Sequence, residues 1–153
     1  MSIITSTFVD GQWVNTKQPV TLAELREILR EKRRERRDAG YLIEGQFFST
    51  YSTEDGEWAE RGISAMASEL PAYPYTPSGG DPMLLTGGPE GQAVRAYKCR
   101  RWYVNMCFAT EGELWNQANQ LHSAGLPLDN LLTAIQSDAT WPQREFLWEP
   151  PSE

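Results

Sequence analysis

Histidine and cysteine are nearly absent from this chain. In 153 residues there is one histidine, His122, and two cysteines, Cys99 and Cys107. A single histidine cannot build a histidine-based metal site, and no Cys-x-x-Cys occurs, so no zinc or other metal site is expected. No histidine lies near a serine or cysteine in sequence and no Gly-x-Ser-x-Gly is present, so nucleophilic catalysis has no support. The glycine-rich stretches Gly79-Gly80 and Gly87-Gly88-Pro89-Glu90-Gly91 lack the Gly-Lys-Ser/Thr of a phosphate loop and read as turns and a helix start. No run approaches the ~20 apolar residues of a membrane span, in keeping with a mean hydropathy of −0.54. The first residues, MSIITSTFVDGQWV, lack a basic segment followed by an apolar run, so no secretory leader is expected and synthesis in a reducing cytoplasm is. On a helix, Cys99 and Cys107 would stand about 12 Å apart at 1.5 Å per residue. A disulfide needs Cα atoms within about 7 Å, so the two read as buried thiols.

What is present is aromatic surface and acidic charge. Six Trp, six Tyr and five Phe argue for an ordered chain, and the length suits one domain with a real core. The formal net charge is −7, which disfavours nucleic acid as a partner. The charge is uneven. Residues 22–38 hold seven of the fourteen Lys/Arg and five of the twenty-one Asp/Glu, a local charge of +2. The remainder has seven basic against sixteen acidic residues, or −9. A basic helix on an acidic body reads either as a solvated face or as a surface that meets an oppositely charged neighbour. The Lys32–Arg37 run has no interleaved aromatics and is interrupted by Glu35, so a protein partner fits it better than nucleic acid.

Local signals predict an α+β chain, mainly helical. Residues 3–14 alternate around Asp10-Gly11, the preferred pair for a two-residue type I′ turn, and predict a hairpin that must lean on the following domain or on another chain. Thr21-Leu-Ala-Glu24 is a capping box, with Val20 and Leu25 at the staple positions. It opens a helix with the apolar stripe Leu22, Leu25, Ile28, Leu29, a basic second half and a stop at Gly40. Residues 41–51 predict a second hairpin turning at Glu44-Gly45. Ser52-Thr53 opens a helix over about 54–69, on which Gly62 marks a close approach. Residues 71–82 hold four prolines and are not helical. Tyr73 and Tyr75 suggest that this loop packs over a surface, and 83–85 is a short strand. A long helix is expected over 89–123, with Pro89 at its first position and Gly125 after its end. Thr110 and Glu113 form a second capping box, so one helix or two are both open; strand over 93–108 fits less well because alternation fails through 98–102. Leu126-Pro127-Leu128-Asp129 starts a short helix that runs through about Ser137. The residues from Trp141 on have no period of their own.

These segments group into an N-terminal hairpin arm (1–20), a helical α+β domain (21–140) and an extended C-terminal docking tail (141–153). Trp13, Trp141, Phe146 and Trp148 are candidate anchors for a partner, since large aromatics supply much binding energy per ordered side chain. The alternative for each is packing onto its own domain. Arg33, Arg34, Arg36 and Arg37 are candidates to meet an acidic surface on another copy. Glu54, Asp55, Glu57 and Glu60 could in principle serve acid–base chemistry, but their place at a helix N-terminus is explained by the helix dipole. His122 reads as an ordinary helix residue.

Two segments together resemble a small phage tail-associated domain. They are Thr21-Leu-Ala-Glu-Leu-Arg26 leading into the basic helix that ends Arg37-Asp-Ala-Gly40, and Gly45-Gln-Phe-Phe-Ser-Thr50 followed by the helix through Ile63. Leu84-Leu85-Thr86 is similar to its strand-to-helix step, and Leu128-Asp129-Asn130-Leu131 through Trp141-Pro142 to its closing segment, so the resemblance covers about 21–142. The Tyr/Pro loop at 71–82 and Gly112 depart from that pattern. Such domains occur in tail-fibre, baseplate and tail-assembly proteins. The resemblance implies a structural protein of the virion tail, made in the host cytoplasm, without enzymatic activity, catalytic residues or cofactor. Its partners would be other tail, baseplate or fibre proteins and copies of itself in a symmetric assembly. An assembly chaperone that leaves before the particle matures is the alternative. An enzyme using Glu54–Glu60 is a third reading.

Overall fold

The computed structural model describes residues 4–9, 12–17, 19–50, 54–77 and 80–151; for 4–9, 12–17 and 54–59 it describes the backbone only. The fold is α+β and mainly helical. In chain order the elements are β1 (Ile4–Val9), β2 (Gln12–Lys17), α1 (Leu22–Asp38), β3 (Tyr41–Ile43), β4 (Gln46–Phe48), α2 (Glu54–Ser68), β5 (Ala72–Tyr75), β6 (Met83–Thr86), α3 (Gln92–Ser123), α4 (Asp129–Gln136), a 3-10 turn (Asp138–Thr140) and β7 (Glu145–Phe146). The chain divides into two compact units, residues 1–33 with 109–140 and residues 34–108 with 141–153. Each long helix, α1 and α3, contributes to both.

In the first unit β1 and β2 pair antiparallel from Ile4↔Lys17 to Val9↔Gln12. That register leaves two residues between the strands, the expected Asp10-Gly11, which lie outside the described residues. α1 opens as its sequence dictates: the Glu24 backbone N–H donates to Thr21 Oγ1 at 3.2 Å. The Thr21 hydroxyl in turn donates to Glu24 Oε1 at 3.0 Å, so the glutamate closes on the hydroxyl. Val20, Leu25 and Leu29 are buried, as are Leu114 and Ala118 on α3 and Leu128, Leu131, Leu132 and Ile135 around α4. The α4 set follows the 3.6-residue period. Helix α3 ends in a Schellman motif. Leu126 N–H donates to Leu121 O at 2.9 Å, Gly125 N–H donates to His122 O at 3.1 Å, and Gly125 has φ +69°.

α3 is one helix through residues 109–113; Gly112 is exposed and the helix does not break. Its start differs from expectation. Pro89 sits in a turn closed by Gly91 N–H to Gly88 O at 3.2 Å. The helix begins at Gln92, whose N–H is capped by Thr86 Oγ1 at 3.1 Å. A side-chain oxygen from the preceding strand does the capping, and a local pattern does not display that.

The second unit is built on a three-stranded sheet in the order β4-β3-β7. β3 and β4 form the expected hairpin, and Glu44 and Gly45 both take positive φ, +47° and +82°, as a type I′ turn requires. Gly40, at the end of α1, has φ +76°, and a Cβ there would fall 2.6 Å from Phe48 O. Part of the proline-rich 71–82 segment is a strand: β5 pairs antiparallel with β6, Pro74 opposite Leu84. Proline is tolerated because this two-stranded sheet gives β5 an open edge. Gly62 fulfils its reading as a close approach, since a Cβ there would lie 3.0 Å from the Tyr73 hydroxyl.

The C-terminal segment is not an extended docking tail. β7 pairs in parallel with β3, Leu42↔Glu145 and Ile43↔Phe146. Leu42 N–H donates to Arg144 O at 2.7 Å and Glu44 N–H to Phe146 O at 2.9 Å. Arg144 donates to Gly40 O at 2.8 Å and Ala39 O at 2.7 Å, satisfying carbonyls left open at the end of α1. Two residues of strand carry no readable period, yet they complete a sheet whose other strand lies about a hundred residues earlier. The core of this unit is Tyr41, Ile43, Phe48, Ile63, Met66, Leu85, Tyr103 and Phe146, with Ala93, Ala96, Cys99 and Cys107 from α3.

Candidate interaction surfaces

The residues expected to bind a partner meet different fates. Trp141 and Phe146 are 5% and 4% exposed. The Phe146 ring meets Tyr41 and Trp102 edge-to-face, with centroids 6.0 and 5.8 Å apart. Trp148 stands edge-on to Phe48 at 6.1 Å and packs against the same core. All three serve the chain's own packing, and this corrects their reading as anchors. The cause is non-local: β7 pairs with β3, and Phe146 and Trp148 meet Tyr41 and Phe48 of the β3–β4 hairpin. Leu147, between them, is 80% exposed. Trp13 lies in β2 opposite Phe8, and its side chain is outside the described residues.

Three of the four arginines are also engaged within the chain. Arg33 Nε donates to Glu111 Oε2 at 2.5 Å, with side chains 12% and 24% exposed. Arg36 donates to Pro142 O at 2.6 Å. The Arg36 carbonyl receives the Tyr103 hydroxyl. Arg37 pairs with Asp38 at 3.2 Å and its carbonyl accepts from Thr50. Lys32 pairs with Asp138 at 2.8 Å. The basic run is largely spent on internal anions and carbonyls, which corrects its reading as a face for a neighbour. Arg34 alone of the four is classed as exposed.

The two cysteines lie in the core. Cys99 and Cys107 are buried and free of a disulfide. Burial, and secondarily the Glu149 carboxylate, push the Cys99 thiol up to about 12, leaving it protonated at neutral pH. Burial pushes the Tyr41 and Tyr103 hydroxyls up as well. Among the described residues no group of three His, Cys, Asp or Glu is placed to hold a metal ion. No helix of the described residues is long and apolar enough to cross a membrane. Of the acidic cluster, Glu60 is paired with the buried Arg100 at 3.2 Å. The side chains of Glu54, Asp55 and Glu57 lie outside the described residues.

Hollows open to solvent are found among the described residues. One of about 710 Å³ in the first unit is lined by Val20, Leu22, His122, Leu126 and Leu128 among others. A crevice of about 120 Å³ lies beside Arg26, which sits 5.3 Å above the Trp115 ring. A third, of about 470 Å³, runs along α2 by Glu60, Ser64 and Ser68. The Ser68 hydroxyl is spent on Ala65 O at 3.0 Å. Glu60, in the same hollow, is held by Arg100.

The feature left over is the first hairpin. β1 and β2 make a two-stranded sheet of their own, and neither outer edge pairs with another strand among the described residues. The sequence displays this hairpin through its alternation, which says nothing of its backbone edges. No family model, no curated protein and no solved structure matches the chain.

Proposed function

We propose that this chain is a structural component of a phage tail or baseplate, an adaptor that joins fibre to tail through protein–protein contacts. Three things support the reading. The residues around Thr21–Gly40 and Gly45–Ile63 resemble those of tail-associated domains. No reactive constellation is assembled among the described residues. The observation that carries it is the β1–β2 hairpin, six residues per strand, whose edges pair with no other strand among the described residues. An isolated two-stranded hairpin is marginal in water, and an open edge is a template for another chain. The docking function therefore passes to residues 1–20 alone, and the C-terminal segment is packed within the second unit.

Mass spectrometry of purified virions of the phage that encodes the chain tests this. A tail component is retained at a defined copy number, and removing residues 1–17 leaves a folded protein that no longer joins the particle. Absence of the full chain from mature virions overturns the reading and favours an assembly chaperone.

A further inference from the structure

β1 is Ile4-Thr-Ser-Thr-Phe-Val9, six residues without a charge or a proline. Natural edge strands are usually protected by charge, proline or a bulge, and β1 carries neither charge nor proline. β2 carries Lys17 at its end. The pairing fixes which backbone groups the open edge offers. With two residues between the strands, Val9 and Gln12 close the hairpin as a hydrogen-bonded pair, and such pairs alternate along the ladder. The pairs 7/14 and 5/16 then bond to each other as well. The N–H and C=O groups of Ile4, Ser6 and Phe8 face away from β2.

We propose that this edge pairs antiparallel with the same edge of a second copy, about a two-fold axis at Ser6, making a four-stranded sheet β2-β1-β1-β2. The proposal rests on the reading of the hairpin as a docking element and names its occupant. A two-fold interface demands a self-complementary strip. In this register Ser6 faces Ser6, Thr5 faces Thr7 and Ile4 faces Phe8, so all three outward residues find hydrogen-bond partners. Uncharged β-branched and aromatic residues are also the types that favour cross-strand pairing. Charge does not oppose pairing along this strip. The chain has a net charge of −7, and two copies repel over most of their surface. Along β1 no like charges come face to face. Pairing also turns a marginal two-stranded ribbon into a sheet with enough strands to persist.

The test uses the full chain and two kinds of variant. Sedimentation velocity over a concentration series reads the oligomeric state, with the expectation of a defined dimer. Ser6→Lys places a lysine opposite its own copy while leaving every hydrogen bond between β1 and β2 in place, and it yields a monomer with an unchanged far-UV CD spectrum. Ser6→Cys provides the geometric readout. Hydrogen-bonded antiparallel partners stand about 5.5 Å apart at Cα, within disulfide reach. Residue 15, opposite Ser6 on β2, would lie three strand spacings from its copy, roughly 14 Å. Cys99 and Cys107 are buried, so the new thiol is the reactive one. Ser6→Cys forms an intermolecular disulfide under mild oxidation and Asn15→Cys does not. A wild-type monomer at every concentration, open-ended aggregates, a Ser6→Lys dimer, or equal crosslinking of the two cysteine variants overturns the proposal. A monomer retained in virions sinks the self-pairing alone; a dimer absent from virions sinks the tail reading alone.

Discussion

Removing the ring of Phe146 is the most direct test of how the C-terminal segment is used. If residues 141–153 were a docking arm, Phe146→Ala would leave stability untouched and weaken only assembly. The structure places the ring 4% exposed, edge-on to Tyr41 and Trp102, on the strand that completes the β4-β3-β7 sheet. Truncating a buried phenylalanine costs about 3–5 kcal/mol, from lost transfer energy and the cavity left behind. That is a large part of the ~5–15 kcal/mol by which a domain of this size is stable. With a urea m-value of ~2 kcal/mol/M, the midpoint should fall by roughly 1.5–2.5 M. Leu147→Ala, one residue on and 80% exposed, is the internal control and should move stability by no more than ~0.5 kcal/mol. Urea unfolding followed by near-UV CD, which reports the packed aromatics, reads both. A Phe146→Ala midpoint within error of wild type refutes the placement of β7 and revives the docking tail. Equal losses in both variants would point to a general effect of the segment and not to this ring.

Three further outcomes follow from the geometry. Thr21→Ala removes the hydroxyl that caps Glu24 N–H, and should cost about 1 kcal/mol in the same urea assay while Thr21→Ser retains most of it. Gly40→Ala imposes a side chain at φ +76° and 2.6 Å from Phe48 O, so its loss should exceed the ~1–2 kcal/mol of the left-handed backbone alone. High pH should unfold the protein through its buried acids. Cys99 stays protonated in the folded chain up to about 12 but ionises from 9.0 when unfolded, so the unfolded state binds fewer protons across that window and stability falls as pH rises through it. Tyr41 and Tyr103, both raised above 10.0, add to the fall. Urea midpoints measured from neutral pH to pH 12 should show a shallower decline for Cys99→Ala; an identical slope would refute the burial of that thiol.

Much of the local architecture could be read directly. Thr21 with Glu24, the Glu44-Gly45 turn and the glycines after α1 and α3 each settle a start, a turn or a stop within a few residues. The departures have a common character. Pro89 resembles a helix start, but the helix begins at Gln92, whose N–H donates to Thr86 from the strand before. Pro74 marks residues 71–82 as irregular, yet its neighbours find a partner in β6. The candidate site was legible only in outline. The hairpin was expected, and its use as an interface is still a proposal. Six of the seven other candidate residues, all but Arg34, are held in the chain's own packing, ion pairs or backbone hydrogen bonds.

The amino-acid order by itself determined where α1 begins and ends, where α3 stops, where the β3–β4 hairpin turns and which faces of α1 and α4 are apolar, because capping, positive φ and the 3.6-residue period act over a single turn or two. Only the tertiary structure decided which aromatics and arginines remain for a partner. Arg144 meets Gly40 across a sequence separation of 104 residues, and Phe146 finds Tyr41 by joining a strand of three residues. Such encounters depend on where distant segments come together, and residues at 141–148 carry the same letters whether they cross to a neighbour or fold back onto their own core.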